Sequence, residues 1–530
     1  MITCPNCGSS FSEGTKFCSK CGTKLPAMSE PAFTENDPVQ EPAPAADPVI
    51  QADPIIRKPV KEKKEKKAAS ALKLKINPKL IAIAAAALAL VILLIIFIPK
   101  IFAGGGSYAL RKDYVQSGKL GEKWLSFNKA GKVTEMDAEA SIVSNMVTAD
   151  GTVNVFKDSD KNLYTVDAKG FNKIAEEVES YLVSFDGKTI AYMDEENALY
   201  LFTGGKDKKV AEDIYALSAI SPDGKAVAYT KQSNENIRGY YYDGKEHELG
   251  KNMTPVALSA KGTYVYYTNQ NGVLYVQKGE NSDDRQKIVD GITNIFFNED
   301  GTQVVANDGS KTYFSEKGGE RTDVSKNGLR LLVPSRTMRS GTFYGISSLK
   351  DKLYYTYSSG EGYTVYKLSS KLELSSAIAR NVMSLTLQED GKYMSYLKNN
   401  KLYLMNVTEK EPEGKVLAID VESYISSNDG KLFLYEDEEG ETYSVNRNGK
   451  AQKVIGESVD EWAAVSNGFV YILDDEAYFT TGDKGSKITG FSDDVSDMSG
   501  YRDYVLLHCD DDTVFMLKDG KKPIKIWEED

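Results

Sequence analysis

One nine-residue phrase constrains this chain more than any other feature. SFDGKTIAY, SPDGKAVAY, SAKGTYVYY, NEDGTQVVA and QEDGKYMSY begin at Ser184, Ser221, Ser259, Asn298 and Gln388, and SNDGKLFLY follows them. Weaker copies are TADGTVNVF, LKDKLYYTY, SNGFVYIL and YRDYVLLH, about ten in all, most of them roughly 36–40 residues apart. One interval, from NEDG to LKDK, is longer. Each copy has the same grammar. Asp-Gly makes a tight turn, because glycine takes the positive φ that such turns need. A run such as AVAY follows, apolar on both faces of the pleat. A Tyr-bearing strand comes next, as in ALYLF, VLYVQ, KLYLMNV and TYSVN.

A strand apolar on both faces must be covered on both faces. Sheets stacked side by side around an axis supply that cover, and a period near 40 residues is that of propeller blades. The expectation is therefore a mainly β chain whose residues 111–530 form a large propeller-like domain. Ten copies exceed the usual four to eight blades, so one ring or two smaller rings dividing near residues 318–346 are both open, with one continuous unit favoured. Residues 111–148 are expected to complete the last blade by pairing near Val514–Trp527. The phrase resembles the SPDGK blade motif of TolB-like and peptidase-associated propellers, most closely over Ser221–Tyr229. That resemblance implies a WD40-like β-propeller repeat.

The amino terminus has a different chemistry. Of five cysteines, four lie in CPNCG and CSKCG: Cys4, Cys7, Cys18 and Cys21. Two CxxC knuckles followed by glycines can aim four sulfurs at one point, and four thiolates close the tetrahedral shell of a structural Zn²⁺. Two disulfides, a [4Fe–4S] cluster and a redox dithiol are the alternatives; a reducing compartment favours metal. CPNCG…FCSKCG resembles the short zinc-ribbon domain at the amino terminus of many bacterial membrane proteins. The resemblance covers residues 2–25 and implies one zinc per chain, held by those four cysteines. A closed shell leaves no position for a substrate, so the ribbon is expected to engage a protein partner.

Residues 26–79 read as a linker, first rich in Pro, Ala and acidic residues, then in lysine, with too few apolar groups to order it. From Leu80 to Ile98 the chain has no charged or strongly polar side chain. At 1.5 Å per residue this makes a helix of roughly 28 Å, long enough to span the hydrocarbon core and contact membrane lipid. About ten Lys/Arg crowd Arg57–Lys79, whereas only Lys100, Arg111 and Lys112 follow the span closely. The positive-inside rule then gives a single-pass signal anchor in the cell membrane, amino terminus cytoplasmic and the large domain extracytoplasmic. Ala82/Ala86 and Ala85/Ala89 have the spacing of a close helix contact.

Net charge is −12. Residues 1–103 hold 14 Lys/Arg against 9 Asp/Glu, so the remainder carries −17, which disfavours nucleic acid as a partner. The only histidines are His247 and His508. His508 and Cys509 are strand neighbours that point to opposite faces, and His247 is expected in an exposed hairpin. No G-x-S-x-G elbow occurs. DSDKN (Asp158–Asn162), EDEEG (Glu436–Gly440) and DDD (Asp510–Asp512) could hold calcium but read as solvated loops. The expected function is non-enzymatic: a membrane-anchored binding, scaffold or sensor protein, its propeller taking a peptide, protein or glycan. The alternative is a cell-envelope hydrolase or lyase working through propeller-face carboxylates.

Overall fold

In the computed structural model of the chain the described residues are 2–3, 10–11 and, with short breaks, 115–528. The chain divides into two compact units, residues 1–84 and 85–530. In the first, β1 (Ile2–Thr3) and β2 (Ser10–Phe11) pair antiparallel, with Thr3 opposite Ser10.

In the second unit, strands form ten sheets among the described residues, antiparallel apart from one parallel strand pairing. β3 (Val115–Leu120), β4 (Lys123–Asn128) and β5 (Val133–Asp137) make a three-stranded sheet. Ten blades of four strands follow: blades 1 to 5 span residues 142–175, 178–211, 214–251, 253–289 and 294–325, blades 6 and 7 form one seven-stranded sheet over 330–419 in which they share the strand Ala379–Leu387, and blades 8 to 10 span 421–455, 461–487 and 495–527. Nine of the ten sequence phrases seed the first hairpin of a blade; LKDKLYYTY instead enters the second strand of blade 6, which a long insertion separates from the first. The long interval holds an added hairpin, Arg339–Ser340 with Phe343–Tyr344, which lies parallel to the first strand of blade 5 at Phe297↔Phe343. Blades 6 and 7 share hydrogen bonds because Ala379–Leu387 pairs with a strand of each.

The doubly apolar strands explain how the sheets stack. In blade 3, Val227 and Tyr229 pack on Ala191, Met193 and Leu199 of blade 2, while Ala226 and Ala228 pack on Leu258, Val265 and Tyr267 of blade 4. In blade 5, Val304 and Ala306 face blade 4 and Val305 faces blade 6. Blade 10 divides likewise: Val505, Leu507 and Cys509 face blade 9, and Tyr504 and Leu506 face β4 and β5 through Phe127 and Val133. Met136 of β5 packs on Phe156 and Val166 of blade 1, and Trp124 of β4 lies 5.8 Å from the Phe156 ring. The three-stranded sheet thus sits between blades 10 and 1, and the row of sheets closes on itself as one propeller-like ring. First strands of neighbouring blades lie side by side, as in Ile214–Ile220 beside Met253–Leu258. This corrects one expectation. Residues 115–137 do not add strands to blade 10, whose last strand, Ile524–Trp527, pairs among the described residues with Val514–Leu517 alone. They pack on it face to face, with Phe127 and Val133 against Tyr504, Leu506 and Ile526.

The recurrent polar residues hold the turns. Ser221 Oγ donates to Asp223 Oδ1 at 2.9 Å and accepts from the Ala226 N–H at 2.9 Å. Ser184 with Asp186 and Ser427 with Asp429 repeat this at 2.8 Å. A second cap recurs in the next hairpin, where Asp158, Asp194, Asn269 and Asp437 accept the backbone N–H four residues on. Aromatic side chains meet across the second and third strands. Tyr192–Tyr200, Tyr396–Tyr403, Tyr435–Tyr443 and Tyr471–Tyr478 are stacked pairs with centroids 5.1–5.4 Å apart. Such pairs contribute about 0.5–1.5 kcal/mol each beyond the area they bury.

Candidate functional site

An uncharged aromatic recess lies where blades 6, 7 and 8 meet. The second strand of blade 6, Lys352–Ser358, is two residues longer than its counterpart Val227–Lys231. At about 3.3 Å per residue its far end outruns the packed zone, and Tyr357 is left 57% exposed. Tyr363, directly opposite on the third strand, meets Tyr357 at 5.1 Å and Tyr355 at 5.3 Å between centroids.

The opposite wall is the first strand of blade 7. First strands of this ring carry β-bulges, and in blades 1, 2, 3, 8 and 10 the skipped residue is Val143, Glu179, Tyr215, Glu422 or Ser496, each exposed. A bulge re-aims a side chain out of the ladder. In blade 7 the register shifts between Met383 and Thr386, Ser384 takes φ +44°, and Met383 is 52% exposed. A non-glycine residue at positive φ persists only where its surroundings fix it. Here Tyr424 of blade 8 supplies the constraint: its Oη donates to the Ser384 carbonyl at 2.6 Å and lies 3.1 Å from Ser395 Oγ. Burial pushes the Tyr424 phenol up to about 12.

The recess has a volume of about 460 Å³, within the range of small-ligand sites. Its nine lining residues include Tyr355, Tyr357, Tyr363, Tyr424 and Met383, and none of the nine carries a charge. It offers ring faces, a thioether and hydroxyls, which suit a sugar ring or an uncharged peptide segment. The sequence hinted at it only through the tyrosines of LYYTYSSGEGYTVY, which were indistinguishable from the packing tyrosines of other blades.

The other sequence candidates fall elsewhere. His247 is half-buried, not exposed as expected, because the strand Lys245–Lys251 continues blade 3. Cys509 is buried and forms no disulfide; half-buried His508 points to the opposite face. The acidic clusters are turn caps. Asp158 accepts from Asn162 at both oxygens, and Asp511 accepts from the Thr513 N–H. The Asp437, Glu439 and Glu441 carboxylates gather closely, with Asp437 Oδ1 taken by the N–H groups of Glu439 and Glu441.

Cys4, Cys7, Cys18 and Cys21 lie outside the described residues, as does Leu80–Ile98; among the described residues no helix is long and apolar enough to cross a membrane. A four-thiol donor set on two short-spaced CxxC pairs fits Zn²⁺.

Comparison with known proteins agrees at the amino terminus: residues 1–25 match the zinc-ribbon domain family, and such a domain binds zinc. Among curated proteins no match is found. Among solved structures the chain is similar to the tricorn protease at 9% identity and a TM-score of 0.25, covering 78% of this chain and 63% of that one. It thus spans under two thirds of the tricorn chain. It is similar to a eukaryotic initiation factor at 10% identity and a TM-score of 0.34, covering 78% of this chain and 95% of that one. A putative TolB from Agrobacterium tumefaciens gives 17% identity and a TM-score of 0.26, covering 39% of this chain and 88% of that one.

Proposed function

We propose that the protein is a non-enzymatic, membrane-anchored binding protein. Leu80–Ile98 crosses the bilayer once, with the zinc ribbon in the cytoplasm and the ring outside. The ribbon's Cys4, Cys7, Cys18 and Cys21 hold one structural Zn²⁺ and so stabilise a small surface for a cytoplasmic protein partner. The ring binds a glycan or peptide in the aromatic recess. The observation that carries this reading is the recess itself, where Tyr355, Tyr357 and Tyr363 present ring faces in an uncharged hollow. The lysine-rich flank before Leu80 supports the orientation.

The test uses the full chain in intact cells and then in detergent. External protease should reach the ring and spare the ribbon; cleavage of the ribbon alone would overturn the topology. The purified chain should bind uncharged cell-wall glycan fragments or peptides, and Tyr357→Ala should weaken this about tenfold or more. Binding that ignores Tyr357→Ala and Tyr363→Ala would remove the recess from the reading, and turnover of the ligand would replace it with the enzymatic one.

A further inference from the structure

A second hollow lies on the turn edge of the ring, between blades 2 and 3, and plays no part in the aromatic recess. Its volume is about 920 Å³. Leu201 and Tyr241 form its apolar part, and Lys188, Lys208, Lys225 and Lys261 open onto it. Lys208 is held there, its Nζ donating to Tyr241 Oη at 2.6 Å. Four ammonium groups around one hollow stand out in a part of the chain that carries −17 overall.

Two carboxylates share the hollow, and each commits its Oδ1 to a turn. Asp186 Oδ1 accepts from Ser184 Oγ at 2.8 Å and the Lys188 N–H at 3.1 Å. Asp223 Oδ1 accepts from Ser221 Oγ and the Lys261 N–H, each at 2.9 Å. Lys188 Nζ stands 3.4 Å from Asp186 and Lys225 Nζ 3.6 Å from Asp223. Both exceed the roughly 2.7–2.9 Å of a charge-assisted hydrogen bond. The ammonium groups therefore keep donor capacity for a ligand.

The same cleft elsewhere in the ring is filled by the protein. Between blades 7 and 8, Arg447 stacks on Tyr393 at 4.3 Å and reaches Asp390 at 3.3 Å. In the repeat, Tyr393 corresponds to Thr189 and Asp390 to Asp186; the turn that carries Arg447 in blade 8 contains Gly244 in blade 3. A short side chain and a glycine thus leave open, between blades 2 and 3, a space that the repeat elsewhere plugs.

We infer that this hollow binds a short ligand bearing two or more phosphate groups. Compact ammonium groups on three blades suit several separated anionic groups better than a single one. Leu201 and Tyr241 can cover a polyol or alkyl body between them. The acidic surface beyond restricts the ligand to a short one. The two-phosphate headgroup of a cardiolipin-type lipid and soluble phosphate oligomers share this chemistry.

The detergent-solubilised full chain is titrated with tripolyphosphate, while hydrogen exchange follows residues 184–189 and 221–226. That local readout separates the hollow from the lysines of Arg57–Lys79. Tripolyphosphate should protect both turns, and Lys208→Gln or Lys225→Gln should each weaken the effect about tenfold. Lys392→Gln and Lys431→Gln, at equivalent turns beside the plugged cleft, should leave it unchanged. Protection by vesicles containing cardiolipin, whose headgroup carries two phosphates, and not by tripolyphosphate would assign the lipid headgroup as the source; the reverse would assign a soluble phosphate. No protection by either, or equal protection in the Lys208 and Lys225 variants, overturns the proposal.

Discussion

Gly224 of blade 3 lies so close to Thr189 of blade 2 that a Cβ built on the glycine would stand 2.3 Å from both Thr189 Cβ and Oγ1. The relation recurs: Gly187 packs on Thr148, Gly301 on Ser259 and Gly430 on Gln388. The Asp-Gly phrase is therefore a contact between blades as well as a turn within one.

Gly224→Ala tests that contact against a control. Gly224 has φ +67°, and Gly204 has φ +60° with no atom within 4 Å of its Cβ direction. Gly204→Ala should cost about 1–2 kcal/mol for the left-handed backbone alone. Gly224→Ala should cost about 1–3 kcal/mol more from overpacking. Denaturant unfolding of the two variants measures the difference, and equal losses would refute the inter-blade contact.

The tyrosine pairs invite a double-mutant cycle. Tyr471 and Tyr478 are directly opposed and stacked at 5.2 Å with 7° between planes. Replacing each with leucine, singly and together, should reveal a coupling of about 0.5–1.5 kcal/mol. Tyr471 paired with Tyr396 of blade 7 should give none.

Arg447 should resist conservative replacement. Its Nε donates to the Gly430 carbonyl at 2.5 Å while its guanidinium covers Tyr393. Arg447→Ala should lower stability by about 1–2 kcal/mol, and Arg447→Lys should recover less than half, since an ammonium lacks the planar fork. Full rescue by lysine would mean that charge alone matters.

Alkaline pH should unfold the ring through its buried phenols. Burial pushes Tyr396, Tyr424 and Tyr471 up to about 12. Because the folded state holds these protons more tightly than the unfolded chain, the stability they contribute is complete below about pH 10. It is lost as pH rises from there through 12. Near-ultraviolet phenolate absorbance should rise together with loss of folded signal across that window; titration of all tyrosines near 10 without unfolding would contradict it.

Zinc should bind at one ion per chain. Thiolates compete with protons for the metal, so affinity should fall as pH drops, and Cys18→Ser should abolish tight binding. Elemental analysis of the purified chain decides it, and iron in place of zinc would replace the assignment.

Within the ring, much was legible because each blade is a local object. The phrase at Ser221 predicted a turn, and the strand after it, buried from Ala226 to Thr230, predicted neighbours on both sides. The aromatic recess was not legible. Tyr357 and Tyr396 look alike in the sequence, and only the length of one strand and the bulge at Ser384 leave the first exposed and the second packed.

The sequence by itself determined the repeat, the cysteine knuckles and the apolar span, since these depend on spacing and side-chain chemistry along the chain. Only the tertiary structure decided that the sheets close into one ring, that β3–β5 wedge between blades 10 and 1 without joining either, and which clefts are plugged. Those outcomes depend on which side chains meet across a blade boundary, such as Arg447 with Tyr393. Such pairs lie far apart in the chain, and no local periodicity encodes their fit.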